Sequence, residues 1–322
     1  MTFGLRTLSF CVVLGLVFVS CSKGAMNDAL PSDEEERIHL NICVLGNSYS
    51  NDSFSYVPFI LLQYGITCKI QVYYKGSGSI RDLAEQWQND GQYDLAELDG
   101  KKHNRFHFSI DTRTQKAWKT ERIMSASDII RLDKWDIVTV QQVSSLAKNE
   151  ATYSPYLQTV LDLIDSACQY PHNKAWFVAY NRAKDNANKE TLDTQERIIH
   201  NYPFDMVIPV ATAVFSCQEN ETLSKLGDSR YHRLYAADNV HLQEGLPCYV
   251  AALTVAQSIL NAMGIEKSVE GNTIRPTQEW INSINGITQN GESIGVTEEN
   301  CALAQKAAVQ ANLHPFEIIP VQ

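Results

Sequence analysis

The chain has 322 residues, of which 44% are hydrophobic and 20% are charged, which is typical of a globular protein with one large α/β domain or two smaller ones. Its formal net charge is −10, and Lys and Arg are not clustered anywhere along the chain. This charge pattern argues against nucleic acid as a partner, because phosphate binding needs concentrated positive charge.

The N-terminal segment differs in composition from the rest of the chain. An apolar run, LSFCVVLGLVFV, follows Arg6 and ends at Ser20-Cys21, which predicts a signal peptide over residues 1–20. The run is too short to span a membrane comfortably. Residues 21–37 are small, polar and acidic, so they cannot bury a core, and we interpret them as a flexible tether.

Strands and helices alternate after the tether. The apolar run Ile42 to Leu45 ends at Gly46 and is followed by small polar residues, which predicts a buried strand that turns tightly into a helix. Four further core strands are predicted at Ile66–Tyr74, Trp135–Gln142, Lys174–Tyr180 and Phe204–Thr212. Helices are predicted at Asn51–Tyr64, Ile80–Trp87, Ser125–Leu132, Tyr156–Cys168, Glu190–Tyr202, Ala213–Lys225, Gly245–Met263 and Glu298–Gln310.

This order of elements predicts a three-layer α/β/α sandwich with a five-stranded parallel, flavodoxin-like sheet. Alternating residues at about 103–122 indicate a β-hairpin inserted in that sheet. We therefore assign the main domain to residues 38–264. The weaker pattern of residues 265–322 predicts a C-terminal extension that packs on the same domain.

Two short blocks near opposite ends of this domain carry residues suited to catalysis. Ser48 follows the first strand, so it is expected at the carboxyl edge of the sheet, where open α/β sheets bind ligands. Asp238 and His241 lie three positions apart in a loop after the fifth strand. A serine hydroxyl becomes a nucleophile when a base removes its proton and a carboxylate orients that base. The two blocks can supply all three groups.

These blocks, in this order and on this fold, resemble those of the SGNH, or GDSL, hydrolase superfamily. Gly46-Asn47-Ser48 resembles the nucleophile block Gly-Asp-Ser, with Asn47 in place of the aspartate, and Asp238-Asn239-Val240-His241 matches the terminal Asp-x-x-His block. The resemblance implies a serine esterase with no metal or organic cofactor. It also implies O-acyl substrates, especially O-acetyl esters on carbohydrates.

The resemblance further implies an oxyanion hole made of three donors. Ser48 would supply a backbone N–H, and Gly78, with Gly76 as the alternative, would supply a second. The superfamily places an asparagine after the third strand, where this chain has Gln141-Gln142, and Gln142 carries the same amide donor on a longer stem. Three further residues are candidates for substrate contacts: Asn47, Gln141 and Tyr49.

The end of the signal peptide, Phe18-Val19-Ser20-Cys21, resembles a bacterial lipobox. The resemblance implies lipidation of Cys21, anchoring in a membrane, and a cell-envelope location in the periplasm or at the cell surface. In this respect the chain is similar to the SGNH-like lipoproteins of gut Bacteroides-type bacteria. An ordinary signal peptide, with Cys21 incidental, is the alternative.

Each candidate residue also has a purely structural interpretation. Ser48 could be a helix N-cap, His241 an ordinary loop histidine, and Gln142 a partner for backbone groups at a strand end. Two other functions therefore stay open: a non-hydrolytic carbohydrate-binding or envelope protein, and a lipase or lysophospholipase. No CxxC pair or metal-binding motif is present, and six cysteines are expected to be mostly buried thiols: Cys43, Cys68, Cys168, Cys217, Cys248 and Cys301.

Overall fold

A computed structural model describes the fold and the candidate site. The described residues are 38–88, 106–111, 116–120, 126–170, 172–273, 275–276 and 292–322. The predicted signal peptide, the tether and the lipidation site at Cys21 lie outside them.

A mixed sheet runs through the described part of the chain. Its strands are β1 (Ile38–Gly46), β2 (Ile66–Tyr74), β3 (Phe106–Asp111), β4 (Lys116–Thr120), β5 (Ile137–Gln141), β6 (Asn173–Phe177) and β7 (Met206–Ile208). They lie in the order β4-β3-β2-β1-β5-β6-β7. Strands β2, β1, β5, β6 and β7 are parallel, whereas β3 and β4 form an antiparallel hairpin on the β2 edge. Every residue of β5 is buried, as expected for a parallel strand covered on both faces.

Helices cover both faces of the parallel strands. They are α1 (Ser48–Phe54), α2 (Val57–Leu62), α3 (Ile80–Gln88), α4 (Ala126–Arg131), α5 (Tyr156–Ala167), α6 (Asn188–Ile199), α7 (Val210–Gln218), α8 (Leu246–Ala262) and α9 (Glu298–Leu313). Helices α3, α4 and α5 contact one another, whereas α1, α2, α7 and α9 gather around α8. Right-handed crossovers between the parallel strands account for this division into two layers. None of the described helices is long and apolar enough to cross a membrane.

This architecture confirms the predicted three-layer α/β/α fold with its flavodoxin-like sheet, inserted hairpin and C-terminal extension. Several predicted elements differ in extent, three of them clearly. The helix expected at Ala213–Lys225 is α7, which begins at Val210 and ends at Gln218, and Leu223–Lys225 is a separate 3-10 turn. The helix expected at Asn51–Tyr64 is two helices, and Pro58 lies in the first turn of the second, where its missing N–H costs nothing. The fifth parallel strand stops at Ile208 because Pro209 cannot donate a ladder hydrogen bond and instead precedes α7.

All six cysteines of the described residues are free thiols, and Cys168 alone among them is not fully buried. This confirms the expectation of mostly buried thiols.

The C-terminal extension braces the segment that leads into α8. Helix α9 packs on α8 and α7. Residues near Ile294 pair with the chain just before α8: Leu246 N–H donates to the Ile294 carbonyl at 2.9 Å, and Ile294 N–H donates to the Glu244 carbonyl at 2.8 Å. Gly245 has φ +86°, and a Cβ there would overlap the Ile294 carbonyl oxygen. Only glycine therefore allows the two segments to approach this closely.

We expect Gly245→Ala to lower the free energy of unfolding by about 3 kcal/mol, since it combines a left-handed backbone with a steric clash. Gly264→Ala is the matched control, because Gly264 has φ +65° and nothing lies within 4 Å of the added Cβ. Gly264→Ala should lower the free energy of unfolding by only about 1 kcal/mol. Urea unfolding of both variants measures the difference, and equal losses would show that the Ile294 contact does not constrain position 245.

Candidate active site

Ser48 lies at the carboxyl edge of the sheet, in the turn between β1 and α1. Asn47 is the N-cap of α1, with extended backbone, and its Oδ1 accepts the N–H of Tyr49 at 3.2 Å. A Cβ on Gly46 would overlap the Ser50 hydroxyl and lie 2.8 Å from the Gln141 side-chain carbon, so glycine is needed for the close approach. The tight turn places Ser48 first in the helix, half-buried at the edge.

The structure brings Ser48, His241 and Asp238 into one hydrogen-bonded row. Ser48 Oγ lies 2.6 Å from His241 Nε2, although the two residues are 193 positions apart in the chain. His241 Nδ1 hydrogen-bonds to Asp238 Oδ2 on the other side of the ring. The side chain of His241 is 24% exposed and that of Asp238 is 46% exposed. One imidazole nitrogen of His241 therefore faces the serine hydroxyl and the other faces the carboxylate, as in a row of nucleophile, base and orienting carboxylate.

The loop that carries Asp238 and His241 is fixed by its own backbone. Asp238 Oδ1 accepts the N–H groups of Val240 at 2.8 Å and His241 at 3.0 Å, so the carboxylate folds the loop back on itself. Asn239 takes a left-handed conformation, with φ +63°. Its carbonyl accepts the Ala183 N–H at 2.9 Å, which ties the loop to the segment after β6.

Electrostatics favour an ionised Asp238 and a readily protonated His241. Burial opposes the charge of Asp238, but hydrogen bonds from the His241 ring and from the backbone of His241 and Val240 lower the pKa of its carboxyl to about 2. Burial likewise opposes protonation of His241. The hydrogen bond to Asp238 and the charges of Asp52 and Asp238 outweigh it, so the pKa of His241 is raised above its ordinary 6.5.

Tyr49 packs against the ring of His241. Its ring meets His241 edge-on, with 6.1 Å between ring centroids, and stacks on Tyr180 at 3.9 Å. Only 2% of Tyr49 is exposed, and burial raises the pKa of its phenol well above the usual value. The expectation that Tyr49 contacts substrate is therefore not supported, because its ring is enclosed between two other aromatic rings.

Asn47 and Gln141 form a buried network beneath the serine. Asn47 Nδ2 donates to the Gly78 carbonyl at 3.1 Å, and Gln141 Nε2 donates to Asn47 Oδ1 at 2.7 Å. Ser50 Oγ donates to Gln141 Oε1 at 3.0 Å. Asn47 and Gln141 are 2% and 3% exposed. They join the ends of β1 and β5 to the loop after β2, so the expectation that they contact substrate is also not supported.

Two expected oxyanion donors already have other partners. The Gly78 N–H donates to the Lys75 carbonyl at 2.9 Å within its own turn. Gln142 is fully buried; its Oε1 accepts the N–H groups of Ile80 and Val143, and its Nε2 lies 3.3 Å from Thr152 Oγ1. Gly78 and Gln142 therefore shape the loops around the site, and these contacts do not support a direct role for either in an oxyanion hole.

Tyr74 is a site residue that the sequence blocks do not reveal. It ends β2 directly opposite Gly46, and its neighbour Tyr73 points to the α3 side, where its hydroxyl donates to Gln86. Alternation along the strand places Tyr74 on the opposite face, the side of α1. Burial raises the pKa of Tyr74, and a hydrogen bond with the Ser48 side chain opposes that rise. Only the register of β1 and β2 could have indicated this contact.

The described residues contain no cluster of His, Cys, Asp and Glu arranged to hold a metal ion. A small cavity lies at the same edge of the sheet, on the α3 side of the serine. Its lining includes Leu45, Gly46, Tyr73, Gly78 and Leu83, and it does not include Ser48.

Solved structures similar to this chain include the following three. A DUF4886 family protein from Bacteroides uniformis has a TM-score of 0.65 and 18% identity, over 87% of this chain and 97% of its own. A candidate SGNH hydrolase from Slackia heliotrinireducens has a TM-score of 0.41 and 16% identity, over 69% of this chain and 99% of its own. A gut microbial diltiazem-metabolizing enzyme has a TM-score of 0.37 and 16% identity, over 71% of this chain and 47% of its own. No family model matches the sequence, and neither does any curated protein.

The network under Ser48 makes a stability prediction. Asn47→Ala removes the cap of α1 and leaves Gln141 Nε2 and the Gly78 carbonyl without this partner, so it should lower the free energy of unfolding by about 2–4 kcal/mol. Asn149→Ala is the matched control, because Asn149 is an exposed cap whose side chain makes no capping bond. Urea unfolding should show a loss within about 0.5 kcal/mol for that control. A similarly small loss for Asn47→Ala would contradict the network.

Proposed function

We propose that this chain is a serine hydrolase of the SGNH type that cleaves carboxylic esters. The observation that carries the proposal is the hydrogen-bonded row of Ser48, His241 and Asp238 at the carboxyl edge of the sheet. A purely structural serine and an ordinary loop histidine would not require a 2.6 Å contact between residues 193 positions apart. A nucleophile and its base require such a contact.

The chemistry follows from the positions of these three groups. Ser48 Oγ attacks the ester carbonyl carbon while its proton passes to His241 Nε2, and the carbonyl becomes a tetrahedral oxyanion. The intermediate expels the alcohol, which takes the proton from His241. A water molecule then gives a proton to His241 and attacks the acyl-serine, and the acid is released as Ser48 regains its proton. Asp238 keeps the Nδ1–H in place and stabilises the imidazolium.

Of the expected oxyanion donors, the Ser48 N–H is kept in this proposal, and a donor other than Gly78 or Gln142 is needed beside it. The Ser48 backbone N–H lies in the first turn of α1, where N–H groups have no acceptor within the helix. A hydrogen bond with the Ser48 side chain acts on the Tyr74 phenol and lowers its pKa against the effect of burial. We therefore assign the Ser48 N–H and the Tyr74 hydroxyl as donors to the charge that develops beside Ser48.

The substrates we propose are short O-acyl esters, chiefly O-acetyl groups on carbohydrates outside the cell. The signal-peptide and lipobox pattern at the N-terminus supports this choice, and it carries with it the proposal of a membrane anchor through a lipid on Cys21. The site works without a metal or an organic cofactor in this mechanism, because the serine, histidine and carboxylate supply the nucleophile and the proton transfers.

Ser48→Ala tests the mechanism directly. We expect the purified chain to hydrolyse p-nitrophenyl acetate and Ser48→Ala to lower kcat by at least about 10³-fold, because no other group replaces the nucleophile. Ser166→Ala, which changes an exposed serine on α5, should retain full activity. A fluorophosphonate probe should label the unchanged chain and the Ser166 variant but not Ser48→Ala.

Unchanged turnover in Ser48→Ala would overturn the proposal. Glycan binding without turnover or serine labelling would favour a non-hydrolytic envelope protein. Activity that rises with acyl length beyond butyrate would favour a lipase or lysophospholipase.

Tyr74→Phe tests the assigned oxyanion donor. Loss of the hydroxyl should lower kcat by about 10²-fold with little change in KM, since the bond strengthens as the oxyanion forms. Tyr64→Phe is the control, because the Tyr64 hydroxyl donates to the Ser268 carbonyl. Steady-state kinetics on p-nitrophenyl acetate measure both variants. A kcat equal to that of the control would remove Tyr74 from the oxyanion site.

A further inference from the structure

A second carboxylate lies behind the row of Ser48, His241 and Asp238. Asp52 is in α1, four residues after Ser48, so both side chains lie on the same side of the helix. Asp52 is 2% exposed. Its Oδ2 accepts the Tyr180 hydroxyl at 2.6 Å and the backbone N–H of Leu242 at 3.1 Å. Leu242 directly follows His241, so the helix that carries the serine also holds the loop that carries the histidine.

We propose that Asp52 is a positioning residue, a buried carboxylate that holds the His241 loop against α1 and offsets the positive charge of His241 during proton transfer. This inference rests on the proposed function and deepens it. In this inference Asp52 acts through its hydrogen bond to the Leu242 amide and through its charge.

The burial of the two carboxylates differs, and this difference gives Asp52 its effect. The Asp238 side chain is 46% exposed, so solvent and salt screen its attraction for the imidazolium. Asp52 is enclosed, and a charge in a less polarisable interior acts over a longer distance. Consistent with this, and against the effect of burial, the hydrogen bond to Asp238 and the charge of Asp52 raise the pKa of His241.

The other groups that face Asp52 stay neutral near neutral pH. Among the described residues, the charge of Asp52 also acts on six groups whose pKa is raised chiefly by burial: Tyr49, Tyr56, Tyr74, Tyr180, Tyr235 and Cys248. Other charges act on these neighbours: Glu244 on Tyr56 and Cys248, Asp238 on Tyr49, and Asp185 and Arg233 on Tyr235. Asp52 and Asp238 are the two charges that raise the pKa of His241.

The test compares Asp52→Asn with Tyr180→Phe in the full chain. Asp52→Asn keeps the shape of the side chain and removes its charge. Tyr180→Phe keeps the charge and the Leu242 contact and removes one hydrogen bond. The measurements are the pH profile of kcat/KM on p-nitrophenyl acetate and the titration of the His241 ring by NMR.

In the unchanged chain, kcat/KM should fall at acid pH with an apparent pKa above 6.5, because His241 accepts a proton only when neutral. Removing a nearby negative charge makes protonation harder. Asp52→Asn should therefore move this acid limb, and the His241 titration, down by about one pH unit, and should lower kcat about tenfold. Tyr180→Phe should leave the acid limb where it is. Asp52→Ser removes the same charge with a smaller polar side chain. It replaces Asp52→Asn in the test if that variant does not fold, and the same shift is expected for it.

The inference would be overturned if the acid limb and the His241 titration stayed unchanged in the Asp52 variants. Asp52 would then be a structural residue. Failure of the proposed function has a different signature, since turnover would then persist in Ser48→Ala. The His241 titration reads the charge of Asp52 in either case, because it does not depend on turnover.

Discussion

The hydrogen bond between Ser48 and His241 is the contact on which the candidate site depends. It spans 193 residues, so it exists only if the turn after β1 and the loop before α8 are held at one place. Parallel strands make this possible, because their carboxyl ends gather the following loops along one edge of the sheet. Asp52 completes the arrangement by bonding the backbone beside His241 to the helix that begins at Ser48. The alignment is therefore built from backbone and buried side chains before any substrate binds.

The polar groups around the serine divide into a buried structural set and a partly exposed set that carries the proposed chemistry. Asn47, Gln141 and Gln142 are buried, and their amides bond to one another or to loop backbone, which satisfies groups that would otherwise be costly to bury. Ser48, His241 and Tyr74 are partly exposed at the edge. Gln141 at the end of β5 and Gln142 directly after it thus stabilise the walls of the site, and the groups to which we assign the chemistry come from β2, α1 and the loop before α8.

Much of the fold and part of the site followed from local pattern. The first strand, its glycine turn and the alternation of strands with helices are visible in runs such as Ile42 to Leu45, because buried parallel strands are continuous apolar segments. Ser48, Asp238 and His241 were identifiable from residue type and chain order, and the geometry brings them together. The assignments of Gly78, Gln142 and Tyr49 were not supported, since a donor is useful only if its hydrogen is not already bonded or enclosed. That depends on neighbours distant in the chain.

The sequence by itself determined the class of fold and the three residue types that the proposed chemistry needs, because hydrophobic periodicity and short blocks are local properties. The tertiary structure decided which hydroxyl, amide and carboxylate groups surround the serine. Tyr74 approaches Ser48 through the register of β1 with β2, and Asp52 approaches Leu242 through the packing of α1 beside the loop. Strand register and helix packing are set by the whole core, and side-chain hydrogen bonds and the low dielectric of the interior follow from them.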